Sequence, residues 1–104
     1  MANKQIHLTK EEVLSCLKNN DYVHTFINAG FGLIGADWSI ENLIEKLDNA
    51  EDIQIGGEGC RAMQHGIVIF PKNAKKQSDL YFVECDDKKL SAIEKAKEQN
   101  NETN

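Results

Sequence analysis

The stretch Gly66-Ile67-Val68-Ile69-Phe70-Pro71 decides the fold that we expect for this chain. Its four consecutive apolar residues, three of them β-branched, predict a strand that is buried on both faces of a sheet. Pro71 has no backbone N–H to offer to a neighbouring strand, so it ends the run. We therefore place the centre of a β-sheet in the second half of the chain.

Two further strands are predicted around this one. Leu80–Cys85 is rich in aromatic and β-branched residues, which favour strands. The loop that precedes it is short enough for a hairpin, so these two strands should be antiparallel. Earlier in the chain, Ile53 and Ile55 flank the polar Gln54, and this alternation is typical of a half-buried strand.

Helices are predicted from their capping residues. Thr9 and Glu12 have the spacing of a capping box, which predicts a first helix. Ser39 precedes apolar residues at helical spacing and should cap a second helix. Asp86 or Asp87 should cap a last helix in the same way.

The segment Tyr22–Ile27 has two interpretations. Its β-branched and aromatic residues favour a strand. Asp21 in front of it and a glycine behind it would instead suit a short helix. We favour the helix, because the apolar residues of the segment then line one face.

These elements together predict an α+β fold: N-terminal helices, then a small and mainly antiparallel sheet, then a C-terminal helix. The sheet would have three strands, or four if Tyr22–Ile27 is a strand. A length of 104 residues with 40% hydrophobic residues suits a single domain over residues 1–104. We expect its polar tail to be frayed from about residue 99.

Composition narrows the classes of function. The formal net charge is −5, which argues against duplex nucleic acid as a partner and suits a basic protein surface better. The three cysteines form no pattern typical of a disulfide framework or a zinc site, so we expect no metal and no cofactor. The N-terminus resembles no signal peptide and no apolar run approaches ~20 residues, so we expect a cytoplasmic protein without a membrane segment.

The first glycine-rich segment, Gly30–Gly35, spells G-x-G-x-x-G. A dinucleotide site is not favoured, because the following helix begins at Ser39, after the last glycine rather than around it. The glycines can instead supply tight turns in a packed loop. A further interpretation is an apolar surface for a protein partner or a second copy of the chain. Its residues would be Phe31, Leu33, Ile34 and Trp38.

The second glycine-rich segment suggests an anion site. Successive backbone N–H groups of Gly56, Gly57 and Gly59 could point into one concavity, and Arg61 would add a bidentate positive charge. Side chains from elsewhere would complete the pocket: His65, His24 or Trp38. The alternative is a plain turn, in which Glu58 repels anions.

Two residue pairs could support catalysis. Cys60 and His65 could act as nucleophile and base, and His24 and His65 could act as acid and base in a small hydrolase or nuclease. Histidines beside apolar segments more often make structural hydrogen bonds. Because no complete catalytic set can be recognised, the chain is not assigned as an enzyme, and the balance leans against one.

The leading hypothesis is therefore a small cytoplasmic binding protein without enzymatic activity, an inhibitor or regulator that works through protein–protein contact. The first alternative is a binder of a small anionic ligand, such as a nucleotide or a phosphorylated metabolite. The second is the small hydrolase or nuclease. The chain as a whole is acidic and rich in lysine and asparagine, a composition that would suit an accessory protein of a bacterium or its mobile elements. Strand order, oligomeric state and the identity of a partner do not follow from the sequence.

Overall fold

The computed structural model describes residues 6–55 and 66–102, without the side chains of residues 77 and 98–102. Its strands form one antiparallel sheet of six strands in the order β1-β4-β5-β6-β2-β3. In chain order the elements are β1 (Ile6–His7), α1 (Lys10–Ser15), β2 (Tyr22–Asn28), β3 (Leu33–Ser39), α2 (Ile40–Asp48), β4 (Ala50–Ile55), β5 (Ile67–Pro71), β6 (Tyr81–Val83) and α3 (Asp87–Glu102). A 3-10 turn of three residues, Gln77–Asp79, lies in the loop before β6.

The main core lies between the three helices and one face of the sheet, which we call the helical face. Ile67, Ile69 and Val83 of the two central strands have no exposed surface. Each helix contributes apolar side chains to this core, among them Val13, Leu43 and Leu90, which are also fully buried. Burial of a leucine or isoleucine side chain contributes roughly 1.5–3 kcal/mol, so this one layer supplies much of the stability.

The opposite face of the sheet carries a second, smaller apolar cluster, and we call this the far face. Val68 and Phe82 are its buried members, and Phe26, Leu33, Phe70 and Leu80 pack around them half-buried. None of the described helices contributes a residue to this cluster. The predicted burial of the 67–70 strand on both faces is thereby confirmed, with helices on one face and aromatic side chains on the other.

The predicted helix caps are confirmed. The Thr9 hydroxyl accepts a hydrogen bond from the Glu12 N–H at 3.2 Å, and the Glu12 carboxylate accepts one from the Thr9 N–H at 2.9 Å. Ser39 accepts from the N–H of Asn42 at 3.1 Å and begins α2. Asp86 accepts from the N–H groups of Lys88 and Lys89 at the start of α3.

The predicted arrangement of the fold is wrong. The helices do not precede a sheet of three or four strands; they are interspersed among six. The sheet is larger because segments on both sides of the first helix join it. Ile6 and His7 pair with β4, and β2 and β3 form a hairpin that pairs with β6.

The helix favoured for Tyr22–Ile27 is also wrong, since this segment is β2. Val23 and Thr25 are buried on the helical face, while His24 and Phe26 lie on the far face. The alternation of side chains along the strand thus buries Val23 on one face. On the other face it places Phe26 directly opposite Phe82 of the neighbouring strand β6. Tertiary contacts and β-branched residues outweigh the weak capping signal at Asp21.

The capping box makes one contribution to stability depend on pH. Burial alone would raise the pKa of Glu12, but its hydrogen bonds with Thr9 and Lys97 outweigh burial and lower the pKa. A carboxyl whose pKa is lower in the folded state stabilises the fold above its unfolded pKa of about 4.3. That contribution is lost as the pH falls through the lower pKa that Glu12 has in the folded state.

We therefore expect Glu12→Gln to destabilise the protein at pH 7 and to lose this effect progressively as the pH falls below about 4.3. Urea unfolding at a series of pH values measures the difference from wild type. Thr9→Ala is the matched control, because it removes the other half of the box without a titrating group. Its cost of about 1 kcal/mol should persist at low pH. A Glu12→Gln effect that does not shrink in acid would contradict this assignment.

Candidate functional site

The β2–β3 hairpin presents the most exposed apolar side chain of the described residues. Phe31 lies at its tip and is 88% exposed. The tip turns tightly because Gly30 has a φ of +94°, which a residue with a side chain rarely adopts. Hydrogen bonds fix this turn, from the N–H of Ala29 to the carbonyl of Gly32 at 2.9 Å and from the N–H of Gly30 to the side chain of Asn28 at 3.0 Å.

The other residues predicted to contact a partner lie in three different environments. Ile34 follows the tip on β3 and is 46% exposed. Leu33 is half-buried in the cluster on the far face. Trp38 is half-buried on the helical face, where its ring meets that of Tyr81 edge-on with centroids 5.0 Å apart. Phe31 and Ile34 therefore remain as the solvent-exposed pair of the four.

The glycines of the first glycine-rich segment have separate roles. Gly30 and Gly32 form the tip, whereas Gly35 lies within β3. The G-x-G-x-x-G pattern thus runs from a hairpin turn into a strand. A dinucleotide fingerprint would lead into a helix instead, and α2 begins only at Ile40, after β3.

His24 and Asp37 form a second notable group at the base of the hairpin. They are direct partners across β2 and β3, and His24 Nδ1 lies 2.5 Å from Asp37 Oδ1. The His24 ring also meets the edge of Phe26, with ring centroids 4.7 Å apart. The pair borders a cleft of about 200 Å³, which is also lined by Lys18, Asn19, Tyr22, Val23 and Glu84.

The charges around this cleft do not favour an anion. Lys18 forms an ion pair with Glu84 at 3.3 Å, so its positive charge is already balanced. Asp37 adds a further carboxylate. A carboxylate can orient an imidazole for proton transfer, as general base catalysis requires. Here both side chains are more than one-third exposed, which is typical of a surface ion pair of modest energy.

The predicted anion site cannot be placed. Gly56, Gly57, Gly59, Arg61 and His65 lie outside the described residues, as does Cys60. Of the three side chains offered to complete that pocket, the two that the structure describes lie on opposite faces of the sheet. His24 is on the far face, and Trp38 is on the helical face.

The described cysteines, Cys16 and Cys85, are free thiols buried side by side in the main core. The hydrogen bond with Cys16 and burial together raise the pKa of the Cys85 thiol. A thiol with a raised pKa remains protonated and unreactive at neutral pH. Within residues 6–55 and 66–102, no three histidine, cysteine or acidic side chains are grouped to hold a metal ion.

Comparison with protein-family models, curated proteins and solved structures finds no match to this chain. Among the described helices, none is long and apolar enough to cross a membrane. Sequence reasoning singled out Phe31 and Ile34 from their apolar character within a glycine-rich segment. It missed the cleft, because the pairing of His24 with Asp37 depends on strand register.

The exposure of Phe31 gives a test of its role in stability. Phe31→Ser should change the free energy of unfolding by no more than about 0.5 kcal/mol, since the ring makes few contacts within the fold. Phe82→Ser is the matched control, because this ring is 1% exposed and its loss should cost at least about 3 kcal/mol. Chemical denaturation of both variants measures these values. A loss above about 1 kcal/mol for Phe31→Ser would show that the ring packs within the protein.

Proposed function

We propose that this protein is a binding protein without enzymatic activity, which acts through protein–protein contact as an inhibitor or regulator. The observation that carries the proposal is Phe31, an aromatic side chain 88% exposed at the tip of a hairpin whose strands pair along their whole length. Aromatic side chains often dominate the energy of protein interfaces when they enter a pocket of the partner. A functional role would explain why such a ring is kept in solvent.

The hairpin is suited to deliver this side chain at a low entropic cost. Its strands pair without interruption from Tyr22 with Ser39 to Asn28 with Leu33. Thr25 and Phe26, in the middle of β2, pair with β6 and so attach the hairpin to the sheet. A rigid anchor loses little conformational freedom on binding, which leaves more of the contact energy for affinity.

The charge of the chain indicates the chemistry of the partner. The chain as a whole carries a formal charge of −5. An apolar anchor on an acidic protein would fit a partner that has an apolar pocket within a basic surface.

We place this activity in the cytoplasm. The three cysteines are widely spaced and form no disulfide framework in the sequence, which suits a compartment that keeps thiols reduced.

The experiment is a comparison of three forms of the protein as bait in lysate of its host. We expect wild type and Tyr22→Ser to retain the same partner, and Phe31→Ser/Ile34→Ser to lose it. Tyr22 is the matched control, because it is 49% exposed on the same hairpin but at its base. Calorimetry with the purified partner should then show a loss of affinity of at least about thirtyfold in the double variant, the effect of a hot-spot residue.

Two results would contradict the proposal. One is a partner retained equally by all three forms, which would place the contact elsewhere. The other is the absence of any specifically retained protein. Circular dichroism of the double variant must match wild type, so that lost binding is not the result of unfolding.

A further inference from the structure

The sheet has two ends, and they differ greatly in length. β1, at one end, has two residues, whereas β3, at the other, has seven. β3 pairs with β2 along its whole length and with no other described strand. Its outer side therefore presents backbone N–H and C=O groups that can pair with a further strand.

β3 has few of the features that usually protect an edge strand from association. It contains no proline, lysine or arginine, and its register with β2 has no bulge. Its middle residues, from Ile34 to Asp37, are all exposed. The one charge on the strand, Asp37, is paired with His24 of β2.

We propose that β3 pairs in antiparallel fashion with β3 of a second copy, so that two six-stranded sheets join into one. An antiparallel pair of identical strands is related by a two-fold axis, and such an interface is closed and self-complementary. With the axis perpendicular to the sheet, the helices of both copies lie on the same side. Directly opposed residues must then share a face, so one residue of β3 lies opposite its own copy, and the axis passes midway between the two.

The side chains select Ala36 as that residue. With the axis at Ala36, Ile34 lies opposite Trp38 of the second copy, and both occupy the helical face. The pair occurs twice by symmetry, and aromatic residues opposite β-branched residues stabilise a sheet. Asp37 then lies opposite Gly35, which has no side chain.

Neighbouring registers are less favourable. An axis at Asp37 places the two carboxylates opposite each other, and like charges in that position destabilise a sheet. An axis at Gly35 places Leu33 opposite Asp37 and leaves Trp38 outside the central pairs. The tip residue Phe31 lies beyond the paired segment Leu33–Ser39 and belongs to the proposed function alone, whereas Ile34 takes part in both proposals.

Sedimentation of the full chain from about 5 µM to about 500 µM tests the proposal by mass action. We expect a dimer that dissociates on dilution. Ile34→Lys places a charge on the edge and should weaken association at least about tenfold. Phe31→Ser is the control and should leave the dimer intact. A monomer over the whole range, or a dimer unaffected by Ile34→Lys, would overturn the proposal.

Cross-linking tests the register even if Ile34→Lys fails to fold. The variant Ala36→Cys is made in a Cys60→Ser background, so that its new thiol faces its own copy across the proposed axis. Oxidised glutathione should then join the two thiols in a disulfide between the copies, with release of two reduced glutathione molecules. Glu51→Cys, exposed on β4, is the control. Cross-linking of Ala36→Cys no faster than the control would contradict the pairing. A monomer that binds an extended segment of another protein at β3 would contradict the second copy as the occupant.

Discussion

Burial of the helical face of β5 and β6 is the constraint on which the rest of the structure depends. Ile67, Ile69 and Val83 have no exposed surface there, and residues from all three helices cover them. Of the helices, α1 has only six residues. A helix of that length is not stable alone, so its formation depends on the sheet beneath it.

The same two strands also organise the far face. Val68 and Phe82 alternate with the residues of the main core and carry the second cluster. This cluster is where β2 joins the sheet, since Phe26 lies opposite Phe82. The β2–β3 hairpin is thus held by β6 at Thr25 and Phe26, while its tip extends into solvent. The position of Phe31 follows from that attachment.

Local signals were sufficient to predict parts of this fold. The capping box of Thr9 and Glu12 and the cap at Ser39 depend on residues three apart, and the structure contains both. The apolar run at 67–70 likewise predicted a central strand. Each of these features is determined by neighbours in the sequence.

The strands that the sequence did not reveal depend on distant partners. Ile6 and His7 are too few to show any period, and they form a strand only because β4 lies beside them. β3 contains glycine, alanine and aspartate, which are poor strand formers, and its pairing with β2 overrides that preference. The His24–Asp37 cleft depends on the same register. Residues outside the described ranges, Arg61 among them, leave the predicted anion site untested.

The proposed pairing of β3 with a second copy uses the longer of the two edges that the described strands form. Amide hydrogen exchange of the chain at about 20 µM and about 1 mM tests it most directly, because exchange reports the protection of each backbone N–H. We predict that outward-facing amides of Leu33–Ser39 gain protection at the higher concentration. Those of β5, already paired on both sides, should not change. Exchange within β3 that is the same at both concentrations would contradict the account.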